Sequence, residues 1–137
     1  MNREIKFRGK RFDNGKWVFG DLLTKHPHHK GLTIVENGVL HHEVDPETVG
    51  QYTGLKDKNG VEIYEGNICR AAVYKDPITL RKSIMINSLV VLRNGAFTLD
   101  GHKRLPDGFR TLPTLDGCEV IGDIHDNPEL LEVLGDE

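Results

Sequence analysis

The sequence predicts a mainly β protein: an N-terminal β-hairpin module, then a small β-barrel and a short C-terminal helix. Three observations carry that prediction. The dipeptide Asn-Gly recurs at Asn14-Gly15, Asn37-Gly38, Asn59-Gly60 and Asn94-Gly95, and this pair best tolerates the positive φ that a type I′ hairpin turn needs at both central residues. The stretch Gln51 to Arg70, QYTGLKDKNGVEIYEGNICR, runs strand, loop, short strand, turn, long strand, the folded-over ribbon from which small barrels are built. Helix signals gather in Asn127-Pro128-Glu129-Leu130-Leu131-Glu132-Val133-Leu134, with Asn127 as N-cap, Pro128 at the first helical position and Gly135 beyond the end.

In chain order, a turn centred on Asn14-Gly15 would pair Phe12 with Trp17, Arg11 with Val18, Phe7 with Leu22 and Gly9 with Gly20. One face of that ribbon carries Ile5, Phe7, Val18 and Leu22; the other carries Phe12, Trp17, Phe19 and Leu23 among Lys6, Arg8 and Lys10. A two-stranded ribbon buries only one face against its own domain, so the Trp17 face is expected to meet another copy of the chain. The alternative is a bulge or close backbone approach at Gly9 and Gly20 that lets the chain's own barrel cover both sides.

A second hairpin is expected over Leu32 to Val44, with Val35 facing Leu40 and Ile34 facing His41. Five histidines, His26, His28, His29, His41 and His42, lie before and inside it. Adjacent His41 and His42 must point to opposite faces of a strand and cannot ligate one ion together, so solvated histidines are favoured over a metal site. Asp45-Pro46-Glu47 reads as the boundary between a module at 1–46 and a barrel with its helix at 47–137. Further on, Asn94-Gly95 sets Leu92 opposite Phe97 and Val90 opposite Leu99. Residues 100–113 read as a long exposed loop and Cys118 to Ile124 as a strand.

With 18 Lys and Arg against 21 Asp and Glu, a formal net charge of −3, the global balance does not point to nucleic acid. Locally, Arg3, Lys6, Arg8, Lys10 and Arg11 face only Glu4, which leaves nucleic acid open as a partner. Cys69 and Cys118 stand in apolar runs without CxxC spacing and read as buried reduced thiols. No run approaches the roughly 20 apolar residues that span a bilayer, so the expectation is a soluble cytoplasmic protein with no membrane partner.

Four blocks, EIKFRGKRFDNGKWVFGDLL, VDPETVG, QYTGLKDKNGVEIYEGNI and VIGDIHDNPELLEVLG, resemble in order the corresponding blocks of the YopX family, small proteins of bacteriophages and prophages. The resemblance spans nearly the whole chain. It implies an SH3-like barrel in the C-terminal part, a bacterial host cell, and no particular activity. Asn67 departs from the acidic residue of the family's Tyr-Glu-Gly-Asp-Ile block, which speaks against a charge or metal role there.

No nucleophile elbow, Walker loop, dinucleotide fingerprint or HExxH helix occurs, and Asp57-Lys58-Asn59-Gly60 lacks the remaining ligands of a calcium loop. The expected function is therefore non-enzymatic: a protein-binding or assembly module without cofactor, metal or catalytic residues, partnered by itself or by a phage or host protein. Its candidate binding residues are Phe12, Trp17 and Phe19 on the hairpin, with Tyr52, Lys56 and Tyr64 in the Gln51 to Arg70 stretch. The alternative from a different class is a metal-dependent or nucleic-acid-directed enzyme using the histidines.

Overall fold

The computed structural model describes residues 4–76, 81–100 and 118–132. They form a mainly β protein with two antiparallel sheets and one short helix, α1 (Glu129–Glu132). No described helix is long and apolar enough to cross a membrane. The chain divides into two compact units, Met1–Gly54 and Leu55–Glu137.

The N-terminal unit contains β1 (Phe7–Lys10), β2 (Trp17–Leu23), β3 (Thr33–Glu36), β4 (Leu40–Glu43) and the start of β5 (Gly50–Lys56), hydrogen-bonded in the order β4-β3-β2-β1-β5. Its register corrects the expected hairpin. The β1–β2 pairs are Phe7 with Gly20, Arg8 with Phe19, Gly9 with Val18 and Lys10 with Trp17. Arg11 N donates to Lys16 O at 3.0 Å and Gly15 N to Arg11 O at 3.0 Å, so the loop spans Phe12 to Gly15 and Phe12 sits in the turn. Gly15 has φ 68°, whereas Asn14 has no positive φ. Lys16 N donates to the Asn14 side chain and Arg11 pairs with Asp13, and these local contacts stabilise the wider turn. The register slips by two residues, an even number, so each side chain that remains in the paired strands keeps its predicted face, while Phe12 leaves the ribbon for the loop.

The β3–β4 hairpin slips by one. Asn37 and Gly38 adopt φ 53° and 75°, the predicted type I′ geometry, and Val39 N donates to Glu36 O at 3.1 Å. Val39 is an extra residue, so Ile34 faces His42 and Val35 faces His41. Val18, Ile34 and Val44 form the unit's core, with Phe7, Leu22, Leu32 and Val49 packed around them. A Cβ on Gly20, which has φ 159°, would lie 2.1 Å from Val35 O, and one on Gly9 would lie 3.1 Å from the Val44 side chain. Both glycines are close approaches, each to its own neighbour rather than to the other.

Past β4 the chain returns to β1 through an Arg11–Val44 bridge and an Asp45 N to Lys10 O bond of 2.8 Å. A 3-10 turn, Pro46–Thr48, follows, capped by Asp45. Lys10 N donates to Thr48 Oγ1 at 2.8 Å. Gln51 and Gly50 then pair with Phe7 and Arg8, which keeps the chain in this unit past Pro46, as far as Gly54.

In the C-terminal unit, β6 (Glu62–Tyr64) is bonded to β5, and β7 (Asn67–Asp76), β8 (Arg81–Arg93), β9 (Ala96–Asp100) and β10 (Glu119–Asp123) form a sheet ordered β10-β7-β8-β9. Asn94 and Gly95 take φ 54° and 80°, and Leu92 faces Phe97 and Val90 faces Leu99 as the turn predicts. Ile63, Cys69, Ala71, Val90 and Cys118 make the core, with Phe97, Leu99 and Val120 against it. Leu92, although it faces Phe97, is exposed near the hairpin tip. Both thiols are buried and reduced; contact with Cys118 and then burial push the Cys69 thiol far up.

Asn127 plays a different part from the one expected. Its backbone carbonyl accepts Leu130 N, but its side chain turns back to accept Asp123 N at 3.3 Å. Asn87 Nδ2 donates to Leu130 O at 2.8 Å and ties α1 to β8. The predicted 100–113 loop and the helix end at Gly135 lie outside the described residues, apart from the strand end at Asp100.

Candidate functional site

Alternation along β1 and β2 places Arg8, Lys10, Trp17, Phe19 and Asp21 on one face of the N-terminal sheet, opposite the Val18 core. The Arg8 guanidinium carbon lies 4.0 Å from the Trp17 ring centroid and the Lys10 ammonium 5.4 Å from it. Arg8 is itself buried. Cation–π attraction therefore occupies the indole from within the sheet. Phe19, paired with Arg8, is 43% exposed, and Phe12, in the turn, is 60% exposed. The three hairpin residues thus have unequal roles: Trp17 is a support, Phe19 an open surface, and Phe12 a separate loop side chain.

The stretch from Gln51 to Arg70 places its candidates differently. Tyr52 is buried in the N-terminal unit with the Lys6 ammonium 5.2 Å from its ring centroid. Tyr64 is buried in the C-terminal unit, its hydroxyl donating to Glu62 at 3.2 Å. Both are interior rings, and Lys56 is exposed at the end of β5. From the sequence Asp57 reads as one turn residue among several, yet it anchors the loop. Its Oδ1 accepts Asn59 N at 2.8 Å and Val61 N at 2.9 Å, and its Oδ2 accepts Val120 N at 2.9 Å. Burial alone would raise this carboxyl, but the amides of Val120, Val61 and Asn59 outweigh it and hold it below its ordinary value. An Asp two residues before Asn-Gly is the available signal, since such side chains accept from the backbone two residues on.

The histidines converge more than the sequence suggests. His26 Nε2 lies 2.9 Å from His41 Nδ1, the His26 ring stacks on His29 at 4.0 Å, and His28 N donates to His26 Nδ1 at 3.0 Å. His42 points the other way, to Glu36 at 3.2 Å, as alternation requires. Among the described residues no three His, Cys, Asp or Glu side chains are arranged to hold a metal. The His28 amide also works against ligation. A metal on His26 Nε2 would need the ring proton on Nδ1, where that N–H already points.

A family model for the YopX protein matches residues 6–132. The chain belongs to the YopX family. Among solved structures it resembles the crystal structure of protein EF1440 from Enterococcus faecalis, at 25% identity and a TM-score of 0.52, over 95% of this chain and 99% of that one. No curated protein matches the sequence. In this YopX chain Asn67 is a buried staple: its Oδ1 accepts Tyr64 N at 2.7 Å and its Nδ2 donates to Gly122 O at 3.3 Å, joining the β6–β7 turn to β10. The second bond needs an amide donor, which an ionised aspartate lacks.

Proposed function

We propose that this YopX protein is a non-enzymatic assembly module of a phage- or prophage-carrying bacterial cell, pairing with a second copy of itself through the β2 face centred on Phe19. Its C-terminal sheet is read as part of an SH3-like barrel, as the family resemblance implies, and the cytoplasm as its compartment. The observation that carries the reading is the exposed Phe19 between a cationic end, Lys10 and Arg8 beside Trp17, and an anionic end at exposed Asp21. Trp17 and Asp21 lie about 13 Å apart along an extended strand. A two-fold axis at Phe19 sets each copy's Lys10 end against the other's Asp21, so the strip is self-complementary in charge as well as apolar at its centre. Because cations already occupy the Trp17 ring, that ring offers little to a nucleic-acid base, and a protein surface is the better match.

Light scattering at micromolar concentration tests this. The parent should run as a dimer, Phe19→Asp as a folded monomer by circular dichroism, and Asp21→Lys as a weakened dimer. Phe19 is the cleaner site than Trp17, whose ring also packs against Arg8 within its own sheet. A monomeric parent, or a folded Phe19→Asp variant with unchanged assembly, overturns the reading.

A further inference from the structure

The histidine cluster carries an inference that does not depend on assembly. The His28 amide donates to His26 Nδ1, so that nitrogen bears no proton. In a neutral imidazole the proton then sits on Nε2, which donates to His41 Nδ1 across 2.9 Å. His41 Nδ1 must therefore also be unprotonated. The chain of donors amide, His26, His41 is complete only while both rings are neutral. Adding a proton to His26 Nδ1 turns it toward another donor, and adding one to His41 Nδ1 sets it against His26 Nε2–H. The bonds span the 24–32 connection, which carries His26, and β4, which carries His41.

We propose that this arrangement is a proton-operated latch, holding the 24–32 connection against β4 in its neutral form and releasing it when the His26 ring takes up a proton. The groups that face His26 are His28 and His29 from its own connection and His41 and Glu43 from β4. From β3 the Thr33 hydroxyl bonds His29 at 2.8 Å. Burial, followed by His29, His41 and His28, makes the charged His26 ring less favourable, and Glu43 opposes them in part. Glu43 is already engaged, accepting Gly31 N at 3.3 Å. Since the folded ring is harder to protonate than the unfolded one, the latch is closed above the ordinary imidazole value of 6.5 and opens as pH falls below it.

Nitrogen-15 NMR of the intact protein between pH 8 and pH 5 tests the latch. At pH 8 His26 should be the Nε2–H tautomer, with the His28 amide proton in a hydrogen-bonded position. On acidification the His28 and Gly31 amides should move together with the His26 titration. The ratio of open to closed connection should rise about tenfold for each pH unit by which the closed form depresses the His26 titration. Gln in place of His26 removes the titrating ring, and Gln in place of His41 removes the ring nitrogen it bonds, each while leaving an amide; either variant should flatten the response with the β1–β2 amides unmoved. An Nδ1–H tautomer at pH 8, amides insensitive to pH, or an undiminished response in both variants overturns the proposal.

Discussion

Replacing Asp57 with alanine removes the acceptor for three backbone amides at once, those of Asn59, Val61 and Val120. Asn59 and Val61 are exposed, so water takes over their N–H groups and each loss costs about 1 kcal/mol. Val120 lies in β10 against the core, where its amide is poorly reached by water, and its loss costs about 2 kcal/mol. The variant should lose about 4 kcal/mol, a large part of the ~5–15 kcal/mol by which a domain is stable. The loss should also depend on pH. The folded carboxyl sits below the ordinary 3.8, so its stabilisation is present above that value and disappears as pH falls through the folded value. Urea unfolding followed by far-UV circular dichroism, at neutral pH and along the acid limb, measures both. A difference under about 1 kcal/mol at neutral pH, or one that stays constant into acid, would refute the anchoring role.

Two further substitutions probe close fits elsewhere. Gly20→Ala places a Cβ 2.1 Å from Val35 O, a backbone atom that cannot swing away, so β2 and β3 should separate at a cost above about 3 kcal/mol; thermal unfolding reads this, and a melting temperature within a few degrees of the parent rejects the packing described. Asn67→Asp keeps the acceptor for Tyr64 N but sets a carboxylate against Gly122 O, and should cost about 1–3 kcal/mol at neutral pH, shrinking as the carboxyl is protonated in acid; equal stability of the two proteins at neutral pH rejects the staple.

The four Asn-Gly turns separate what neighbours in sequence decide from what they do not. Asn37-Gly38 and Asn94-Gly95 take positive φ at both residues, the geometry inferred from the dipeptide. Only the β8–β9 hairpin around Asn94-Gly95 keeps the inferred register, because Val39 is inserted after the other turn. At Asn14-Gly15 and Asn59-Gly60 only the glycine turns left-handed. There the side chains of Asn14 and Asp57 accept amides two residues on and select a longer loop. The candidate surface was legible in part. Even slips preserve faces, so Phe19 and Trp17 fell on the side predicted for them, whereas their unequal exposure depends on Arg8 lying over one ring.

By itself the sequence determined the family, the mainly β class, the strands and the turn positions, because alternation and turn residues are properties of neighbouring amino acids. Only the tertiary structure decided that Asp57 meets Val120, that Asn67 reaches Gly122, and that His26 meets His41. These contacts join residues 63, 55 and 15 positions apart. The register of each sheet, set by burial of Val18, Ile34 and Val44 in the N-terminal unit and of Ile63, Cys69, Val90 and Cys118 in the C-terminal one, brings them together, and no local pattern encodes that register.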